Sequence, residues 1–80
     1  MRILDEDNDK ALSRITLYLT KAEAVELRDS LNLLLENPHG RHEHVSSSDY
    51  RKELTACIYD SDGIEEFDAR SQRLIRYDIS

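Results

Sequence analysis

Apolar and polar residues alternate in two stretches of the sequence, and each alternation predicts a β-strand. In Leu12–Leu19 the apolar side chains that would share one face are Ile15, Leu17 and Leu19. In Leu54–Tyr59 the face of Leu54, Ala56 and Ile58 would lie opposite that of Thr55, Cys57 and Tyr59. A period of two with β-branched and aromatic residues is typical of a strand with one buried face.

Each of these strands has a predicted hairpin partner nearby. Arg2–Leu4 is a short β-prone piece, and the run Asp5–Asp9 after it has the composition of a turn, so we expect a hairpin around residues 5–10. His42–Ser46 alternates weakly and leads into the turn-rich stretch Ser46–Asp49. This predicts a second hairpin from about residue 42 to residue 60.

Between the hairpins the sequence predicts one long helix. Thr20 and Glu23 have the spacing of a capping box, in which the hydroxyl accepts a hydrogen bond from the first turn and the carboxylate reaches back. Apolar residues then recur at spacings of three and four, which predicts a stripe on one helix face made of Ala24, Leu27, Leu31 and Leu34, widened by Val25 and Leu35. The pair Asn37-Pro38 is expected to end the helix, because proline restricts the preceding residue and has no N–H to donate.

The last part of the sequence fits two structures. Asp68 is a suitable N-cap for a short helix over Ala69–Tyr77, whereas a weaker alternation over Arg73–Ile79 fits a strand. We favour the helix because alanine, arginine and glutamine have high helix propensity. The expected fold class is therefore α+β: one domain over residues 1–80, with a four-stranded, mainly antiparallel sheet (ββαββ), one long helix across a face of the sheet and a short C-terminal helix.

Length and charge narrow the class of protein. Eighty residues allow a thin core, because a chain of this size buries only about 60% of the surface that it exposes when unfolded. Eleven Lys and Arg against seventeen Asp and Glu give a net charge of −6, which argues against a nucleic-acid partner. The single Cys57 excludes an internal disulfide and a cysteine-rich zinc module. Without a signal-peptide pattern or an apolar stretch of about 20 residues, we expect a cytoplasmic protein with no membrane partner.

Three histidines fall close together in the sequence, at His39, His42 and His44. His42 and His44 are two apart on a predicted strand, so their imidazoles share a face and could bind Zn²⁺, Ni²⁺ or Cu²⁺, with His39 or Glu43 as a third ligand. The alternative is a solvent-facing hairpin edge whose polar residues happen to be histidine, because neither a helical His-x₃-His nor a paired CxxC is present.

The stretch from residue 60 to residue 68 contains five carboxylates and no Lys or Arg: Asp60, Asp62, Glu65, Glu66 and Asp68. We call it the acidic segment. It could bind a basic protein partner, or it could simply be a solvated turn, which is the usual role of a charge run. On the predicted tail helix Arg70, Arg73 and Arg76 are three apart, and we expect them to pair with these acids rather than with a phosphate.

Cys57 is a candidate nucleophile only if a histidine lies within hydrogen-bond reach of its thiol. If the second hairpin turned near Ser47, Cys57 would lie opposite residues near 38 to 40, and His39 could approach it. The alternative is a small residue packed in a strand, which is the common role of cysteine in a sheet.

The stretch from Ile15 to Asp29, together with His42–Tyr50 and Leu54–Asp60, resembles a group of small bacterial proteins of unassigned function. The similarity would cover the chain from residue 2 to about residue 78. The resemblance implies a small cytoplasmic bacterial domain, and it brings no catalytic residue or ligand with it.

The combined pattern favours a small acidic, non-enzymatic interaction or regulatory module without a cofactor, of the immunity or antitoxin type, that binds a basic protein. The alternative is a domain that binds a small ligand or a transition metal through His39, His42 and His44. Homodimer formation is a further expectation, because a thin core and edge strands favour association, with a sheet face bearing Tyr18, Cys57 and Tyr59 as the contact.

Overall fold

Two short hairpins and two α-helices account for the regular structure in the computed structural model, which describes residues 1–39 and 41–78. The elements follow one another along the chain as β1 (Leu4–Asp5), β2 (Lys10–Ala11), α1 (Lys21–Glu36), β3 (His42–Ser46), β4 (Glu53–Cys57), a 3₁₀ turn at Ile64–Glu66, and α2 (Ala69–Tyr77). The predicted α+β class is confirmed.

The first hairpin depends on the side chain of Asp5. Asp5 Oδ1 accepts hydrogen bonds from the backbone N–H groups of Asp7 (3.1 Å) and Asn8 (3.3 Å), and Oδ2 accepts one from the Asn8 amide (2.9 Å). The bond from the Asn8 side chain, followed by that from its backbone, lowers the pKa of Asp5 below its ordinary value. The turn closes β1 on β2, with Leu4 opposite Ala11, so the hairpin predicted around residues 5–10 is confirmed.

The predicted strand over Leu12–Leu19 is not formed, and the single four-stranded sheet is not confirmed. The N–H of Leu12 still donates to the carbonyl of Ile3 (2.9 Å), but the chain then leaves β1, and residues 14–19 belong to no strand. In the described residues β1 and β2 form one two-stranded sheet, and β3 and β4 form another. The alternation shows that a segment has one apolar side, but it does not say which strand supplies the hydrogen bonds.

Helix α1 begins as the sequence predicts. The N–H of Glu23 donates to Thr20 Oγ1 (3.1 Å), and the N–H of Thr20 donates to Glu23 Oε1 (2.9 Å), which completes the capping box. The helix ends at Glu36, before Asn37 and Pro38. Because the box satisfies two N–H groups that have no partner inside the helix, it fixes the residue at which α1 starts.

Strands β3 and β4 pair antiparallel with Val45 opposite Leu54 and His42 opposite Cys57. Helix α1 packs against β3, where Ser30 and Leu34 of the helix and Val45 of the strand are buried. Since side chains alternate across a strand, His42 and His44 lie on the opposite, exposed face. The predicted second hairpin is confirmed.

The tail is helical. Asp68 caps α2 by accepting a hydrogen bond from the N–H of Ser71 (2.8 Å), and the helix extends over Ala69–Tyr77 as predicted. The alternative strand over Arg73–Ile79 is therefore wrong as far as Tyr77, and Ile79 lies outside the described residues. Near the end of α2, Arg2 Nε donates to the carbonyls of Leu74 (3.0 Å) and Ile75 (3.2 Å).

The chain divides into two compact units. The first consists of Met1–Leu17 and Ser61–Ser80, and the second of Tyr18–Asp60. The hydrophobic side chains that are buried in the described residues are Leu74 in the first unit and Leu34 and Val45 in the second. The expectation of one domain over residues 1–80 stays a prediction. No helix in residues 1–39 and 41–78 has the length and apolar character needed to cross a membrane.

The loop between β3 and β4 holds Tyr50 at φ 59°, in the left-handed region. A side chain with a Cβ costs free energy there, and asparagine tolerates this backbone better than tyrosine. We expect Tyr50→Asn to raise the free energy of unfolding by up to about 1 kcal/mol, measured by urea denaturation. Tyr77→Asn, the same exchange at an exposed site in right-handed helix, is the control, and an equal gain in both variants would contradict the explanation.

Candidate functional site

The exposed face of the second hairpin carries the residues with the most chemistry. Alternation along β3 and β4 brings one polar set to this face, namely His42, His44, Ser46, Glu53, Thr55 and Cys57. The rings of His42 and His44 contact each other edge to face, with their centroids 4.9 Å apart. Two of the three predicted metal ligands therefore lie side by side.

Hydrogen bonds across the hairpin orient the ring of His44. Its Nδ1 lies 2.6 Å from Glu53 Oε1 and 2.8 Å from Thr55 Oγ1. Because the Glu53 carboxylate can only accept, this contact favours the tautomer with the proton on Nδ1, which leaves Nε2 available to a ligand. The neighbouring strand thus favours Nε2 of His44 as the nitrogen that can bind.

His39 contacts a different residue from the other two histidines. Its Nε2 is 3.7 Å from Asp60 Oδ2, at the end of the acidic segment. Glu43, the other proposed third ligand, alternates to the opposite face of β3 and pairs with Arg41 (3.4 Å). In the part of the chain that the structure describes, no group of three or more His, Cys, Asp and Glu side chains is arranged to hold a metal ion. Metal binding by His39, His42 and His44 stays a prediction.

The expected position of Cys57 opposite residues near 38 to 40 is wrong, because the register of the hairpin places Cys57 opposite His42. The difference comes from the turn. Ser47 and Lys52 close a longer loop than the serine run suggests, with the N–H of Ser47 donating to the carbonyl of Lys52 (3.0 Å). The position of Asp49 was the available signal, since its carboxylate accepts from the Ser47 hydroxyl (2.6 Å) and the Arg51 N–H (3.0 Å) and centres the turn there.

Several carboxylates of the acidic segment have contacts within the chain. Asp68 caps α2, Asp60 faces His39, and Glu65 lies 3.8 Å from Arg76. Asp62 and Glu66 lie at the exposed turn and in the 3₁₀ turn that precede α2. The contact of Arg76 with Glu65 is the pairing that the sequence predicts. Binding of a partner by Asp60, Asp62, Glu65, Glu66 and Asp68 stays a prediction.

Arg70 pairs with acids that the sequence analysis did not assign to it. Its guanidinium lies 3.4 Å from Glu6 Oε1 and 3.7 Å from Asp9 Oδ1, both in the turn of the first hairpin. The expected pairing with the acidic segment is therefore confirmed for Arg76 and wrong for Arg70, whose acids come from the other end of the sequence. Arg73 makes no ion pair among the described residues. Such exposed ion pairs contribute little to stability one at a time.

Apolar side chains on α1 remain exposed, which the periodicity did not indicate. Of the predicted stripe Leu34 is buried, whereas Leu31 is exposed and Leu35 keeps 71% of its surface accessible. Leu31 and Leu35 are one turn apart, so they lie together on one side of the helix. Leu33, also exposed, lies about 200° around the helix axis from each of them. We call Leu31 and Leu35 the leucine pair.

Comparison of the chain with protein-family models, with curated proteins and with solved structures gave no match. The resemblance to small bacterial proteins therefore stays a prediction.

Asp68 generates a prediction about pH. The N–H and then the hydroxyl of Ser71 lower the pKa of Asp68 below its ordinary value of 3.8. A carboxyl with a lower pKa in the folded state stabilises the fold above its unfolded pKa, and the stabilisation is lost as the pH falls through the folded pKa. We expect Asp68→Ala to lower the free energy of unfolding by about 1 kcal/mol at neutral pH, as for other N-caps.

The matched variant is Asp68→Asn, which keeps a capping oxygen but has no proton to bind. We expect it to stay close to the wild type at neutral pH and to lose less stability below about pH 4. Urea denaturation at a series of pH values measures both effects. Equal acid-induced losses in the Asn variant and the wild type would show that Asp68 does not carry this pH dependence.

Proposed function

We propose that this chain is a small, non-enzymatic protein-interaction module of the cytoplasm that binds a basic protein, in the manner of an immunity protein or an antitoxin. The observation that carries the proposal is the exposed leucine pair on α1. A leucine that keeps 71% of its surface in water, on a helix whose neighbouring Leu34 is fully buried, is available for contact with another protein.

The shortage of buried apolar side chains makes this exposure informative. Isolated exposed leucines are ordinary on protein surfaces. Here, however, the described residues bury Leu34, Val45 and Leu74 and leave Leu31, Leu33 and Leu35 exposed on a single helix. A partner that covers the leucine pair would remove further apolar surface from water, which favours binding.

Charge supports a basic partner. The net charge is −6, and nine of the seventeen acids lie in residues 5–9 and in the acidic segment, without a Lys or Arg among them. An excess of one sign speeds the approach of a partner of opposite charge and disfavours other partners, even where it adds little to the final affinity. The leucine pair would then supply affinity, and the acids would supply selectivity.

The lowered carboxyl pKa values support a structural use of these groups rather than catalysis. For Asp49 the hydroxyl of Ser47, followed by the N–H of Arg51, lowers the pKa, and this carboxylate holds the loop between β3 and β4. Asp5 and Asp68 hold a turn and a helix N-terminus in the same way. In each case the neighbouring donor that shifts the pKa is also the contact that fixes the local backbone.

The test replaces the leucine pair on its own helix. The double variant Leu31→Gln/Leu35→Gln keeps the charge and the helix propensity, so we expect α1 to remain and the affinity for the partner to fall at least about tenfold. The partner is first captured from a bacterial lysate on the immobilised wild-type chain, and its affinity for each variant is then measured by calorimetry with the purified protein.

The matched control is Leu33→Gln, the same exchange on the far side of α1, which we expect to leave the affinity unchanged. Charge reversal at Asp62, Glu65 and Glu66 should slow association with the basic partner. The proposal is wrong if the partner binds the leucine-pair variant and the charge-reversal variant as it binds the wild type. It is also wrong if no partner is captured.

One observation favours the alternative function, a transition-metal or small-ligand site at His39, His42 and His44: the rings of His42 and His44 lie in contact. If this site binds Zn²⁺, we expect the ring resonances of His42 and His44 to respond together during an NMR titration. His39, which faces Asp60, should respond less. His42→Ala should weaken the response of His44, with His39→Ala as the control. Unchanged ring resonances at millimolar Zn²⁺ would rule this alternative out.

A further inference from the structure

The segment that leads into α1 has the sequence of a strand and no strand beside it. Residues 14–19, which we call the connecting segment, contain no helix, turn or bend and no positive φ, so the chain continues through them without reversing direction. Among the hydrogen bonds of the described residues, none involves the backbone of the connecting segment. Its N–H and C=O groups are thus free to pair with another strand.

Both faces of the connecting segment are open to solvent. On the apolar face Ile15, Leu17 and Leu19 keep 49%, 47% and 40% of their surface accessible, and on the other face Tyr18 keeps 93%. An alternating segment with bare backbone groups and uncovered apolar side chains is the usual substrate of strand addition.

We propose that the connecting segment pairs antiparallel with the same segment of a second copy of this chain, about a two-fold axis at Leu17. The proposal goes beyond the binding of a partner by α1 and does not depend on it. Two features of the sequence support a second copy. The segment can pair with itself about Leu17, and residues 15–20 carry no charge.

The segment is complementary to itself in this register. With Leu17 opposite the Leu17 of the second copy, Ile15 faces Leu19, and all of the apolar side chains lie on one side of the ribbon. On the other side Thr16 faces Tyr18, a β-branched residue against an aromatic one. A shift of the pairing by one residue would bring apolar side chains against polar ones, and a shift by two would lose one of the three apolar pairs, so this register pairs the most apolar side chains.

The absence of charge within residues 15–20 suits pairing with a second copy. Although the chain has a net charge of −6, residues 15–20 carry no charge, and Arg14 and Lys21 flank them. In the proposed register Arg14 lies opposite Thr20, whose N–H is held by the Glu23 carboxylate (2.9 Å), so the guanidinium reaches an anion of the second copy. Arg14 makes no ion pair among the described residues. In the same register Lys21 of the second copy follows directly after Thr20, so Arg14 has both that cation and the Glu23 carboxylate of the other copy near it.

The first experiment measures the mass of the wild-type chain in solution by sedimentation equilibrium, from micromolar to millimolar concentration. We expect a concentration-dependent shift toward twice the 9.3 kDa of one chain. Leu17→Lys places two like charges at the axis and should weaken the association by about a hundredfold or more. Leu33→Lys, the same exchange on α1, should leave it unchanged, and circular dichroism shows whether α1 persists in each variant.

The second experiment detects the formation of a new crosslink, so an unfolded variant cannot be mistaken for a positive result. In a Cys57→Ser background, Leu17→Cys lies against its own counterpart and should form a disulfide-linked dimer under mild oxidation. Ile15→Cys, four residues from its counterpart along the ribbon, should not crosslink to itself.

Crosslinking of both cysteine variants would indicate a parallel ribbon, and crosslinking of neither would exclude strand pairing at Leu17; each result overturns the proposal. A wild-type chain that stays monomeric throughout the range overturns it too. If that monomer nevertheless loses its captured basic protein on Leu17→Lys, the segment docks the partner instead. Failure of the second-copy proposal leaves the role of the leucine pair standing, because that role is tested separately at Leu31 and Leu35.

Discussion

The small number of fully buried apolar side chains is the constraint on which the rest of the structure depends. Helix α1 packs on β3, where Leu34 and Val45 are buried, and Leu74 is the other apolar side chain that is buried in the described residues. A core this small cannot alone offset the entropy of ordering the backbone. The local structure therefore depends heavily on side chains that bind neighbouring backbone groups.

Those local contacts occur at four places along the chain. Asp5 holds the turn of the first hairpin, Thr20 and Glu23 start α1, Asp49 holds the loop before β4, and Asp68 starts α2. Each contact is a short-range hydrogen bond between a side chain and the backbone within a few residues of it. Such contacts fix the ends of elements well, but they do not bring distant elements together.

This difference explains which parts of the fold could be predicted from the sequence. The bounds of α1 and α2 follow from Thr20, Pro38 and Asp68, because a cap acts on residues beside it in the sequence. The strand over Leu12–Leu19 could not be settled in the same way, since a strand requires a distant partner that a local pattern does not specify. The predicted four-stranded sheet required hydrogen bonds between the two hairpins. In the described residues each hairpin forms its own two-stranded sheet.

The same difference explains which features of the candidate sites could be predicted from the sequence. That His42 and His44 share a face follows from the period of a strand, and their contact agrees with it. The pairing of His42 with Cys57 depends on the length of the loop near Asp49, which a run of serines does not reveal. The exposure of Leu31 and Leu35 could not be predicted from the helical period, because the period gives the apolar side of α1 and not what packs against it.

The contact of Arg2 with the carbonyls of Leu74 and Ile75 has a consequence for the order of folding. It joins residues that are 72 and 73 positions apart, and it belongs to the unit made from both ends of the sequence. During synthesis that unit cannot close until α2 has emerged from the ribosome, whereas residues 18–60 are contiguous and can assemble earlier. The middle of the chain is therefore the part of this protein that can fold first.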